Sequence, residues 1–321
     1  MKQHTVCIVG GSGFVGTHIA SRLARDGHDI KVLSRRPERR RHLLVLPTVT
    51  VLQANVHEEK QLQRHFEGCD TVINLVGILN EKGDNGKGFQ RAHVDLAQKV
   101  VNAALSTGVK RLLHMSALHA DAGKGASYYL RTKGEGENLV HTKVGLNVTS
   151  FRPSVIFGVE DSFLNRFAAL LRFAPPILPL ACAQARFAPI YVGDVAECFA
   201  RALDDPKTYG QRYDLCGPHV YTLKELVEYV ADLTGHKRRI VGLGAALSSL
   251  QARFLEHVPG KPFSKDNLRS LQVDSVCDGP FPDVFGFEPT PLETVAPGYL
   301  GHRNQRERYQ GFRQHARREQ G

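Results

Sequence analysis

Along the first half of the chain, short runs of apolar, often β-branched residues alternate with longer stretches whose apolar positions recur at three- and four-residue steps. Runs such as Val6-Cys7-Ile8-Val9 show no polar alternation. Both faces of such a strand must be covered, as in a parallel sheet with helices on either side. The pattern predicts strands at 5–9, 29–34, 49–53, 71–76, 110–115 and 147–151, and helices at 14–26, 38–45, 58–66, 89–107 and 127–141. In the 89–107 segment Phe89, Ala92, Leu96, Val100, Val101, Ala104 and Leu105 form one stripe, and Gly108 follows as a C-terminal cap. Repeated strand-helix-strand units predict an α/β class, a doubly wound parallel sheet over residues 1–157.

Past Pro153 the rhythm changes. Helices are expected at 163–171, 194–203 and 223–233 around a proline-rich stretch, and Leu243, Leu247, Leu250, Phe254 and Val258 fall on one stripe, which reads as a buried helix face. Residues 158–300 are expected to form a smaller cap over the mouth of the sheet, with some segments returning to the core. Residues 301–321 read as a basic, flexible tail.

The 321 residues are 23% charged and 42% hydrophobic, an ordinary globular composition that excludes disorder and needs no staple. The net charge of +10 is concentrated: residues 31–41 carry six cations against Glu38, and the last twenty carry six arginines against Glu307 and Glu319. The rest is near neutral, so the basicity argues for local anion contacts and not for nucleic acid. The six cysteines are scattered, which predicts neither a disulfide framework nor a metal site. The N-terminus has no signal or transit pattern, and no apolar run approaches the roughly 20 residues of a spanning helix, so a cytoplasmic protein is expected. Its tail could hold it at the inner membrane face.

Gly10-Gly11-Ser12-Gly13-Phe14-Val15-Gly16 sits between the first strand and the first helix, the context in which a glycine fingerprint cradles a pyrophosphate. The fold class is accordingly a Rossmann fold. The second strand ends Ser34-Arg35-Arg36, where NAD binders place an acid; guanidinium forks would hold a 2′-phosphate, so NADP(H) is the expected cofactor. Tyr129 and Lys133 lie one helical turn apart on one face, and Ser116 ends the preceding strand. Together they read as a proton donor, its electrostatic partner and a substrate hydrogen-bond donor. His114, His119 and His141 lack ligand spacing and read as structural.

In order along the chain, these motifs, with Asn74-Leu75-Val76-Gly77, Phe151-Arg152-Pro153 and Tyr191-Val192-Gly193-Asp194, resemble an extended or atypical short-chain dehydrogenase/reductase, of the NAD-dependent epimerase/dehydratase type. The stretches 74–78, 129–133 and 288–293 are similar to the NADPH-binding accessory subunit family of respiratory complex I and its bacterial relatives. By that resemblance Gly10, Gly13, Phe14, Val15 and Gly16 would meet the pyrophosphate, and Ser34, Arg35 and Arg36 the 2′-phosphate side. Asn55 and Val56 would lie by the adenine, Leu75, Val76 and Gly77 by the ribose and nicotinamide, and Lys133 and Pro153 at the nicotinamide end. Asn55 replaces the usual Asp, and Ala117 replaces a second hydroxyl beside Ser116. The resemblance supports binding more strongly than catalysis. Three readings follow: an NADP(H)-dependent oxidoreductase acting on a quinone-like or lipophilic carbonyl, an accessory or assembly protein of a respiratory complex with NADPH as structural ligand, and a sugar-nucleotide epimerase or dehydratase.

Overall fold

A computed structural model describes residues 2–39, 43–256 and 263–301. All six expected strands form: β1 (Thr5–Val9), β2 (Asp29–Ser34), β3 (Val49–Gln53), β4 (Thr71–Asn74), β5 (Arg111–Met115) and β6 (Asn147–Pro153). A seventh, β7 (Arg212–Leu215), returns from the C-terminal half and pairs in parallel with β6, Ser150 opposite Arg212. Its Arg-Tyr-Asp-Leu sequence has no apolar run to announce it, because it lies at the sheet edge. The spatial order is β7-β6-β5-β4-β1-β2-β3, and every pairing in this sheet is parallel. The chain winds outward from β1 through β2 to β3, then crosses to β4 and winds the other way. The switch point between β1 and β4 leaves a crevice at the carboxyl ends of the strands, where open α/β sheets bind ligands.

Alternate residues of each strand enter two separate cores. Val6, Ile8, Ile30, Val32, Ile73, Leu113 and Phe151 pack with α1 (Phe14–Arg25) and α6 (Val192–Ala202) on one face. Cys7, Val9, Leu33, Val72, Leu112 and Val148 pack on the other with α2 (Glu59–Phe66), α3 (Leu96–Ser106) and α4 (Tyr128–His141). This double burial is why the strands read as continuous apolar runs. The cap has its own core, built from α5 (Leu164–Phe173), α7 (Leu223–Thr234), α10 (Leu292–Leu300) and the parallel strand pair Ile177–Leu180 and Arg239–Gly242.

Four expectations are corrected. The helix at 38–45 is absent from the described residues there: Pro37–Arg39 is one 3-10 turn, and only Leu43 reaches the core while Leu44 and Val45 stand exposed. Residues 40–42 lie outside the described residues. The 89–107 helix is continuous only from Leu96; before it run a turn at Lys87–Phe89 and a π turn at Gln90–Asp95. Gly108 does cap it in the left-handed conformation, at φ 78. The stripe at 243–258 does form α8 (Ala245–Leu255), yet Leu247, Leu250 and Phe254 are 55, 63 and 72% exposed; Val258 lies outside the described residues. Its inward face is instead the short Ser248 and Ala252, which let the helix approach the strand Ile177–Leu180 closely enough for Gln251 to donate to the Pro179 carbonyl at 3.0 Å. Finally, Cys216 and Cys277 form a disulfide across 61 residues. Only the return of β7 beside the segment at 275–277 brings them together, so their spacing could not show it.

Candidate functional site

The glycine loop joins β1 to α1 at the switch point, with backbone constraints that explain its composition. Gly10 has φ +84, and a Cβ there would stand 3.2 Å from the Val76 nitrogen. At Gly16 a Cβ would meet the Gly11 backbone at 2.5 Å, so helix and loop can pack this tightly only with glycine at that position. Over Gly13 a Cβ would meet only the Gly10 carbonyl, at 3.4 Å. The loop is therefore closed beneath and open above, and the start of α1, with no side-chain cap or acid in its first turn, presents its N–H groups and positive dipole end to an anion. These residues fit a dinucleotide pyrophosphate. Phe14 and Val15 begin the helix, and Val15 packs into the sheet core.

At the end of β2 the hydroxyl of buried Ser34 accepts from the Arg36 N–H at 3.3 Å, while Arg35 and Arg36 stand exposed. Asn55 and Val56 follow β3. The Asn55 amide is already engaged, donating to Glu58 at 2.6 Å while its oxygen accepts from the His57 N–H at 3.2 Å. These hydrogen bonds hold the loop after β3 in shape, with Asn55 exposed at its surface. Leu75, Val76 and Gly77 leave β4 in the crevice, and a Cβ on Gly77 would lie 3.0 Å from the Lys133 Nζ.

Tyr129 and Lys133 do share one face of α4, directed into the sheet's carboxyl edge. Lys133 is buried and donates to the Met115 carbonyl at 3.0 Å, which places it one residue from Ser116. Burial pulls its amine down to about 8, against the opposing field of Glu137. The Tyr129 ring meets His93 edge-on at 5.5 Å and Phe89 at 6.2 Å. With desolvation alone acting on it, its phenol is pushed up to about 12 and holds its proton at neutral pH. Ser116 is buried, and among the described residues its Oγ has no hydrogen-bond partner. A buried hydroxyl without a partner is costly, and a bound ligand oxygen would relieve that cost. Pro153 ends β6 nearby, buried. Of the three histidines expected to be structural, His114 is buried against Asn74 at 3.3 Å, His119 meets the Val276 carbonyl and His141 meets Ser150.

Two contributors escaped the sequence reading. His93, inside the π turn, accepts from the Ile78 N–H through Nε2 at 3.1 Å and meets the Thr132 hydroxyl through Nδ1 at 2.9 Å. Burial and the Lys133 charge hold it at about 2, so it is neutral and locks the loop after β4 to α4. A helical stripe that skips position 93 gives no sign of this. Asp266, on α9 (Lys265–Ser270) of the cap, accepts from the Tyr128 and Tyr129 N–H groups at 2.8 and 3.1 Å. Beside it Asn267 donates to the Leu79 carbonyl, and Arg269 pairs with Asp84 at 2.8 Å. The cap thus clasps both walls of the site, a tertiary contact across more than a hundred residues.

Residues 6–216 match the NAD dependent epimerase/dehydratase family. The chain belongs to that family. It is 29% identical to the mouse mitochondrial NADH dehydrogenase [ubiquinone] 1 alpha subcomplex subunit 9, over 89% of this chain and 77% of that protein. It is 30% identical to a ceramide reductase of Caulobacter vibrioides, over 74% of this chain and 73% of that one. Among solved structures it is similar to the Bordetella bronchiseptica enzyme WbmH in complex with NAD+, with a TM-score of 0.68 and 20% identity, covering 93% of this chain and 98% of that chain. A nicotinamide dinucleotide is thus the cofactor class of this family member. Two of its motifs meet in the fold: buried Asp194 accepts from the Thr290 N–H at 2.6 Å and from its hydroxyl at 3.0 Å. Among the described residues no helix is long and apolar enough to cross a membrane.

Proposed function

We propose that this family member is an NADP(H)-dependent oxidoreductase that reduces a lipophilic carbonyl or quinone-like substrate. The observation that carries the reading is the cluster of buried Lys133 and His93 with half-buried Tyr129 beside the Ser116 hydroxyl, which has no partner among the described residues, all at the crevice that the glycine loop opens. The cofactor, when bound, would supply a hydride to the carbonyl carbon. Tyr129, protonated up to about pH 12, is set to give its proton to the carbonyl oxygen. Lys133 would stabilise the phenolate left behind and hold the nicotinamide ribose, and Ser116 would donate to the same substrate oxygen. Arg35 and Arg36, exposed with no acid at the end of β2, support NADP(H) over NAD(H). The ceramide reductase similarity supports a lipophilic substrate.

A second reading, NADPH as the structural ligand of an accessory protein, is favoured by the α9 clasp, whose bonds to Leu79, Asp84 and the start of α4 brace the site from outside. The mouse relative's name gives the same direction, a respiratory complex. The six arginines of the tail, outside the described residues, support contact with an anionic lipid or acidic surface. Single-turnover measurement separates the readings. Protein loaded with NADPH is mixed with quinones and lipophilic carbonyls while nicotinamide absorbance is followed for wild type and Tyr129→Phe. Oxidation by wild type that collapses at least about a hundredfold in the variant is expected. Tight NADPH that no compound oxidises would favour the structural ligand.

A further inference from the structure

We infer that the outer face of the cap docks on an anionic lipid surface. The inference is independent of the nucleotide reading and starts from the exposed face of α8. Leu247, Leu250 and Phe254 project from one side of this helix, while Ser248 and Ala252 turn inward. The helix is fixed along the strand Ile177–Leu180 through Gln251 and the Pro179 carbonyl. On the strand pair, Leu178, Leu180 and Ile240 enter the cap core, so by the two-residue period Ile177 and Val241 face outward, and both are exposed. The bond from the Arg238 Nε to the Ala174 carbonyl, 3.0 Å, brings the end of α5 alongside, where Phe173 is 82% exposed. Three elements distant in sequence but joined by these bonds therefore each present large apolar side chains at the surface. Single exposed leucines are ordinary; six exposed large apolar residues on adjoining elements, two of them phenylalanines, argue for a contact surface.

Charge names the occupant. Residues 164–180 hold Arg166 and Arg172 and no acid, and residues 237–256 hold Lys237, Arg238, Arg239 and Arg253 against Glu256 alone. That one carboxylate pairs with Lys265 at 3.3 Å, and Lys237 pairs with Asp232 at 3.9 Å, so the cationic excess of the face rests on the arginines. A second copy docking here through the same face would set these cations against themselves. An anionic bilayer surface answers both halves: aromatic and aliphatic side chains enter the headgroup boundary while the flanking cations meet lipid phosphates.

The test is flotation of the full-length, NADPH-loaded protein with vesicles of phosphatidylcholine alone and of equimolar phosphatidylcholine and phosphatidylglycerol. Wild type is expected to prefer the anionic vesicles. Phe173→Ser with Leu250→Ser and Phe254→Ser should lower that partitioning at least about tenfold while NADPH binding and the thermal midpoint hold. Arg172→Gln with Arg239→Gln should lower it about tenfold on anionic vesicles only. The inference is overturned if the serine variant floats like wild type, which would assign any lipid contact to the tail. It is equally overturned if wild type ignores both vesicles, whether it then self-associates or binds an acidic protein through this face.

Discussion

The sheet and the cap handle apolar residues in opposite ways. In the sheet, each strand sends alternate residues into two cores, and residues such as Leu112 and Leu113 are wholly buried. In the cap, thin strand pairs have one face inward and one outward, and an equally apolar helix, α8, turns its largest residues to the surface. The difference teaches that apolar periodicity reports where a face exists, and only the number of layers around it reports whether the face is covered. It also explains the distribution of supports: the sheet is held by packing, whereas the cap is tied to it by the Cys216–Cys277 bridge and by the polar clasp of Asp266, Asn267 and Arg269.

The sharpest way to break this comparison is one truncation in each region. Leu112→Ala in the sheet is expected to cost about 3 kcal/mol in denaturant unfolding, because it leaves a cavity in a filled layer. Next comes the bridge. Reduction, or Cys216→Ser with Cys277→Ser, should lower stability by about 3 kcal/mol, within the usual range for a native disulfide, seen as a lower thermal midpoint in wild type with reductant and no reductant effect in the variant. Arg35→Ala with Arg36→Ala should weaken NADPH by about 2 kcal/mol, roughly thirtyfold, and leave NADH nearly unchanged in calorimetric titration. Equal weakening of both would break the 2′-phosphate assignment.

Lys133 supplies a pH signature of the sheet's edge. Its amine, pulled down to about 8, is charged below that pH and neutral above it. Single-turnover oxidation of NADPH should therefore fall by about a factor of ten per pH unit beyond about pH 8, and Lys133→Met, already slow, should show no such limb. The smallest effect is expected in the cap, where Leu250→Ala should change stability by less than about 0.5 kcal/mol. A loss approaching that of Leu112→Ala would mean that the α8 face is covered within the protein, and the contrast between the regions would fail.

Much of the site was legible in advance. Gly10 and Gly16 were readable because a left-handed turn residue, and a helix position whose Cβ would stand 2.5 Å from the loop backbone, admit no side chain, and Gly13 was readable from its spacing between them. Tyr129 and Lys133 were readable because an i, i+4 spacing places two side chains on one face whatever surrounds the helix. His93 and Asp266 were hidden for the opposite reason. One gains its role from a π turn that shifts the helical register, the other from a contact between distant segments.

By itself the sequence determined the first six strands, the helices α1 to α4 between them and the glycine cradle, since these follow from backbone sterics and from a periodicity that both faces of a buried sheet impose. Tertiary structure alone decided the edge strand β7, the Cys216–Cys277 bridge, the clasp over the site and the outward turn of α8. Each of those depends on which distant segment arrives beside it, and Ser248 and Ala252 became the inward face because short side chains let the helix approach its strand closely enough to hydrogen-bond with it.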